Sequence, residues 1–207
     1  MTIWLDDQRL AATPDASLAS ALAAARAAAQ QTGRVIIEAT WDGELISDDI
    51  LADPPKTPLA QRELRFATAD PRALVSATMH ELGDVVQRLD LLQQEAADSL
   101  RAGDMTSALS GLSEAIEVWD TLRRAVQEGP ALLGVALNDL TVRDPAGTPI
   151  SLTAAIGGLS DVMNDLKAAL ENQDWAALGD LLDGEMNAQA KRFVGILRDL
   201  AGQLGRR

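Results

Sequence analysis

The sequence predicts an α+β protein: a small N-terminal β-α-β-β-β mixed sheet over residues 1–69, then a mainly helical C-terminal part. The latter is an antiparallel four-helix bundle over residues 70–204, built from two helical hairpins. Three observations carry this prediction. Residues 34–41 (RVIIEATW) are dense in β-branched residues and run into Asp42-Gly43, the preferred pair for a two-residue hairpin turn. At Ala69-Asp70-Pro71 the apolar period changes from 2 to 3.6, with Asp70 placed to cap a helix and Pro71 at its first position. Finally, residues 99–112 (SLRAGDMTSALSGL) and 169–182 (ALENQDWAALGDLL) share one helix–turn–helix grammar at an offset of 70 residues. Leu100, Asp104, Met105 and Leu112 of the first stand where Leu170, Asp174, Trp175 and Leu182 stand in the second.

Each element has its own signal. Residues 2–5 (TIWL) form a short β-type run, and Thr13-Pro14-Asp15 opens an Ala-rich helix that Thr32-Gly33 closes. Residues 44–47 return the hairpin strand. Residues 48–58 carry three prolines and read as a loop, and residues 61–68 (QRELRFAT) alternate, with Leu64 and Phe66 on one side. The first long helix carries Val75, Met79, Leu82, Val86, Leu89 and Ala96 on one stripe. The second carries Met105, Ala108, Leu112, Ala115, Ile116 and Trp119 and ends at Gly129-Pro130. A connector over residues 129–151 holds a short helix at 131–135 and an irregular hairpin or loop at 141–150. Ser151 caps a third helix striped by Leu152, Ile156, Leu159, Met163, Leu166 and Leu170. The fourth follows Asp174 with Trp175, Leu178, Leu182, Met186, Phe193, Ile196 and Leu200. Residues 205–207 form a disordered tail.

Composition excludes several kinds of chemistry. The 207 residues contain no Cys, which removes disulfides, thiolate catalysis and thiolate-held metals. The net charge is −13, with no basic face, and aromatics are 3% with no Tyr, so nucleic acid is not an expected partner. The N-terminus lacks a secretory signal, and the Ala-rich run at 16–29 is short and broken by Arg26. Membrane insertion is therefore not expected, and the cytoplasm is the natural compartment. No phosphate-binding glycine loop and no G-x-S-x-G elbow is present, and no cofactor is implied.

Two groups of side chains stand out from the stripes. Gln93, Glu185 and Gln189 fall on or beside their apolar stripes and are candidates for a polar core layer that fixes helix register. Leu91, Val118 and Val194 point away from theirs and are candidate contacts for a protein partner or a second copy. The expected function is a non-enzymatic, cytoplasmic protein-interaction module (adaptor, chaperone-like or self-assembling subunit) working through its amphipathic helices. Its antiparallel four-helix architecture resembles that of small export chaperones and adaptors. The alternative is a metal-dependent or acid–base enzyme using His80, the only histidine, with Glu81 and Asp84 in a cleft between the domains.

Overall fold

A computed structural model describes residues 2–11, 16–58 and 62–206. The fold is α+β, with a five-stranded mixed sheet and long helices, and the chain divides into two compact units, Met1–Leu74 and Val75–Arg207.

The first unit contains β1 (Thr2–Leu5), β2 (Gln8–Leu10), α1 (Leu18–Gln31), β3 (Val35–Trp41), β4 (Glu44–Leu45), α2 (Asp48–Ala52) and β5 (Glu63–Ala69). The sheet order is β2-β1-β5-β3-β4, with β1 parallel to β5 and the other pairs antiparallel. That register puts Ile3 beside Leu64 and Ala39 opposite Phe66 on one face. There they pack with Leu18, Ala21, Leu22 and Ala25 of α1, whose small side chains let the helix lie close to the strands. The Asp42-Gly43 turn closes β3–β4 with both residues at positive φ, 50° and 89°, as a two-residue hairpin of that sequence requires.

Two elements depart from the β-α-β-β-β expectation. Strand β2 folds back antiparallel on β1 after Asp6, which takes a φ of 52°; a three-residue strand is too short to show alternation. Helix α2 occupies the start of the stretch expected to be a loop. Asp48 and Asp49 lie in its first turn, where carboxylates suit the helix dipole, and the prolines begin only at Pro54, beyond its end. The Thr13-Pro14-Asp15 helix start lies outside the described residues; α1 is capped by Ser17, in a reciprocal pair with Ser20.

The second unit runs α3 (Pro71–Ala102), α4 (Met105–Leu132), a 3-10 turn (Leu137–Asp139), β6 (Thr141–Arg143), β7 (Pro149–Ser151) and α5 (Leu152–Glu171). It ends with α6 (Trp175–Leu181), a π-helical turn (Leu182–Met186) and α7 (Asn187–Leu204). One hydrophobic cluster joins all of these helices, with Trp119 of α4 meeting Phe193 of α7 edge to face at 5.8 Å. Antiparallel α3 and α4 approach closely where α4 has glycine. A Cβ at Gly111 would lie 3.3 Å from the Ala96 Cβ, and one at Gly129 would lie 2.9 Å from the Met79 Cε.

Helix α4 continues through Pro130 rather than ending there, and the residues expected as a separate short helix are its last turn and closing loop. Proline this close to the end forfeits a single backbone bond. The helix stops at Gly134, φ 68°, whose N–H donates to the Ala131 carbonyl while Val135 donates to Pro130. Residues 141–151 do form a hairpin. It is bound to α7, where the Arg143 N–H donates to Asp199 at 2.8 Å and Gln203 Nε2 to the Thr141 carbonyl at 2.8 Å.

The two matched stretches form the same corner. Gly103 and Gln173 both adopt positive φ, 79° and 54°. Gly103 donates to Leu100 and Asp104 to Ser99; Gln173 donates to Leu170 and Asp174 to Ala169. Each is the paired-bond closure of a helix C-terminus. In each, the second donor also caps the next helix, since the Asp104 carboxylate accepts from Ser107 N–H and that of Asp174 from Ala177 N–H.

Candidate functional site

Helix α3 sets two environments apart by spacing alone. Gln93 is on its apolar stripe and is 0% exposed, whereas Leu91, two residues earlier, is 62% exposed. On an α-helix two residues correspond to about 200° of rotation, so these neighbours must face opposite ways.

Inside the helical unit, neither amide atom of Gln93 has a hydrogen-bond partner, and the same holds for Trp119 Nε1, Asn187 Oδ1 and Gln189 Oε1. Gln189 is half-buried and its Nε2 lies 3.4 Å from the Gly158 carbonyl of α5. Glu185 is not an interior residue: it is exposed, and Asn187, 6% exposed, faces inward instead. The π turn is the cause. Buried Leu178, Leu182, Met186 and Ala190 recur every fourth residue. A straight α-helix would rotate about 1,200° over those three steps, about 120° too far to keep them on one stripe. The π turn absorbs one residue and so restores the stripe, with Glu185 turned outward. An extrapolation at period 3.6 cannot anticipate that insertion.

On the surface, Leu91 and Val118 line one groove of about 420 Å³ between α3 and α4, with Val85, Leu92 and the charged Arg88, Glu95 and Glu114 around them. Val118 and Leu92 are half-buried there. Val194 is also half-buried but lies elsewhere, on the α3–α7 side beside Val86, Gln87 and Ala190. Two of the three candidate contact residues therefore share a surface and the third does not.

His80 and Asp84 line a smaller cleft of about 130 Å³ with Gln87 of α3 and Val194 and Arg198 of α7. Glu81 is not part of its lining, and all of the lining residues belong to the second unit. His80 Nδ1–H donates to the Ser76 carbonyl one turn back at 2.8 Å. Among the described residues, no group of three His, Asp or Glu side chains is placed to hold a metal ion. Among the described residues, no helix is long and apolar enough to cross a membrane.

A polar network in the sheet unit had no sequence signal. Asp6 accepts from both the Thr68 N–H, at 2.8 Å, and the Thr68 hydroxyl, at 2.7 Å. Arg34 Nε donates to that hydroxyl at 2.6 Å, and its guanidinium also reaches the Thr68 carbonyl. The Thr68 hydrogen bonds, helped by the nearby Arg34 charge, hold the Asp6 carboxyl below its ordinary value of 3.8. These residues join the β1–β2 turn and the ends of β3 and β5 and brace the sheet, and Arg34 also lines an open cleft of about 320 Å³ with Arg26, Val35, Ile37 and Asp48.

Neither a family model, a curated protein nor a solved structure matches this chain.

Proposed function

We propose that this chain is a non-enzymatic, cytoplasmic protein-interaction module whose helical part is an antiparallel four-helix bundle presenting the α3–α4 groove. The exposed Leu91 at the lip of that groove carries the reading. A large aliphatic side chain in water forfeits about 2 kcal/mol that burial against another surface recovers. It stands beside half-buried Leu92 and Val118, so the apolar surface is continuous, and charged residues rim it as they rim the contact patches of transient complexes.

The test is chemical cross-linking of the tagged chain in an extract of its host, comparing wild type with Leu91→Asp and Val118→Asp. Adducts formed by wild type are expected to be lost in both variants while the helical circular dichroism signal is unchanged. Unfolding of both variants would show these residues to be core and would overturn the proposal. His80→Ala, on the separate cleft, is expected to leave the adducts intact; their loss would move the working surface to α3–α7.

A further inference from the structure

We infer that the occupant of the α3–α4 groove is a second copy of this chain, with α3 packed antiparallel on its counterpart about a two-fold axis between Leu91 and Leu92. The inference rests on the proposal that this groove is an interaction surface. It is argued from charge complementarity. Arg88, Leu91, Leu92 and Glu95 all line the groove, and Arg88 and Glu95 are two helical turns apart, so they share one face of α3. An antiparallel two-fold between Leu91 and Leu92 sets Leu91 against Leu92 of the second copy. It sets Arg88 against Glu95, and Glu95 against Arg88, each about 5 Å along the helix from the axis.

A two-fold contact uses the same patch twice, so the patch must be its own complement. Residues 88–95 (RLDLLQQE) meet that condition: a cation at one end, an anion at the other and leucines at the centre. Among the described residues, neither Arg88 nor Glu95 forms an ion pair within its own chain. Glu114 of α4, on the same groove, adds a second carboxylate near the incoming Arg88. Leu91 then enters the space between the other copy's α3 and α4, against Leu92 and Val118, as a leucine knob seats between helices. A parallel arrangement lacks this match, because it would bring Arg88 to Arg88 and Glu95 to Glu95.

Analytical ultracentrifugation of the purified full chain is the test. Wild type is expected to dimerise with a Kd of about 10 µM or tighter. Arg88→Glu alone and Glu95→Arg alone, each confirmed as folded by circular dichroism, are expected to weaken the dimer at least about tenfold through like-charge contacts. Mixing the two single variants is expected to restore a heterodimer, and the double variant R88E/E95R a homodimer. Only an antiparallel self-complementary contact gives that pattern. A chain that stays monomeric at all concentrations overturns the inference; it leaves the broader interaction reading to the Leu91-dependent adducts in extract. A dimer that Leu91→Asp breaks but charge reversal does not touch overturns the register. A dimer insensitive to every one of these changes places self-association on another surface and overturns the inference, again leaving the broader reading to the Leu91-dependent adducts.

Discussion

Gln173 holds a backbone conformation that costs an L-residue about 1 kcal/mol and costs glycine little. Its counterpart at the first corner is Gly103, around which a Cβ would meet no atom within 4 Å. Gln173→Gly is therefore expected to raise stability by about 1 kcal/mol, and Gly103→Ala to lower it by about as much, both read from urea midpoints. Gln93 is a second residue at odds with its surroundings. Its buried amide makes no hydrogen bond, so Gln93→Leu removes an uncompensated desolvation and should stabilise by about 1–2 kcal/mol. A lower melting temperature for that variant would show that the amide has a partner. Asp6 makes the sheet sensitive to acid. Its folded pKa lies below the unfolded value of 3.8, so its contribution is present above that value and is lost as pH falls through the folded one. Asp6→Asn should flatten the acid limb of the stability profile below about pH 4 while leaving its shape at neutral pH unchanged.

Among the elements, the π turn of residues 182–186 is the one whose removal gives the clearest expectation. Deleting Gly184, which is exposed and where an added Cβ would meet no other atom within 4 Å, should let α6 and α7 join as one α-helix, with both halves of the stripe still facing the core. Stability should change by no more than about 1 kcal/mol in thermal melts. Deleting Gly195 instead would rotate Ile196, Leu197 and Leu200, all buried, by about 100° and should cost several kcal/mol. The contrast also shows what could be read in advance. The stripes of α3, α4 and α5 repeat without interruption, so most of their buried residues were legible, as was Leu91 on the outer face of α3. On α5, however, Val162 and Ala169 are buried where Met163 and Leu170 were expected, and Val118 of α4 is half-buried against the core rather than opposite the stripe. The Asp42-Gly43 turn was legible because its two residue types tolerate positive φ. The sheet order was not, because β5 enters between β1 and β3 through pairings more than twenty residues apart. Nor was the Asp6–Thr68 contact, which spans 62 residues and has no local pattern. That Leu91 and Val118 share a groove depends on how α3 and α4 are rotated against each other, which is set by small residues such as Gly111 and Ala96.

At the scale of the whole molecule, the two hydrophobic clusters share no residue among those described, and each is made within one unit. A fragment of residues 70–207 keeps the entire larger cluster and the Asp70 cap, whose carboxylate accepts from Arg72 N–H. It is expected to fold alone, with a helical circular dichroism spectrum and a single cooperative melt; a broad, non-cooperative melt would show that the sheet unit contributes to its stability. The two α-helical corners have a further consequence. Residues 99–104 and 169–174 share only two identical amino acids yet carry the same backbone bonds, donor for donor. The corner is thus a standard joint with two spellings. Six-residue cassettes should be exchangeable between the two sites, which would make these corners ports for grafting tags, cross-linkable residues or cargo without redesigning the helices they connect.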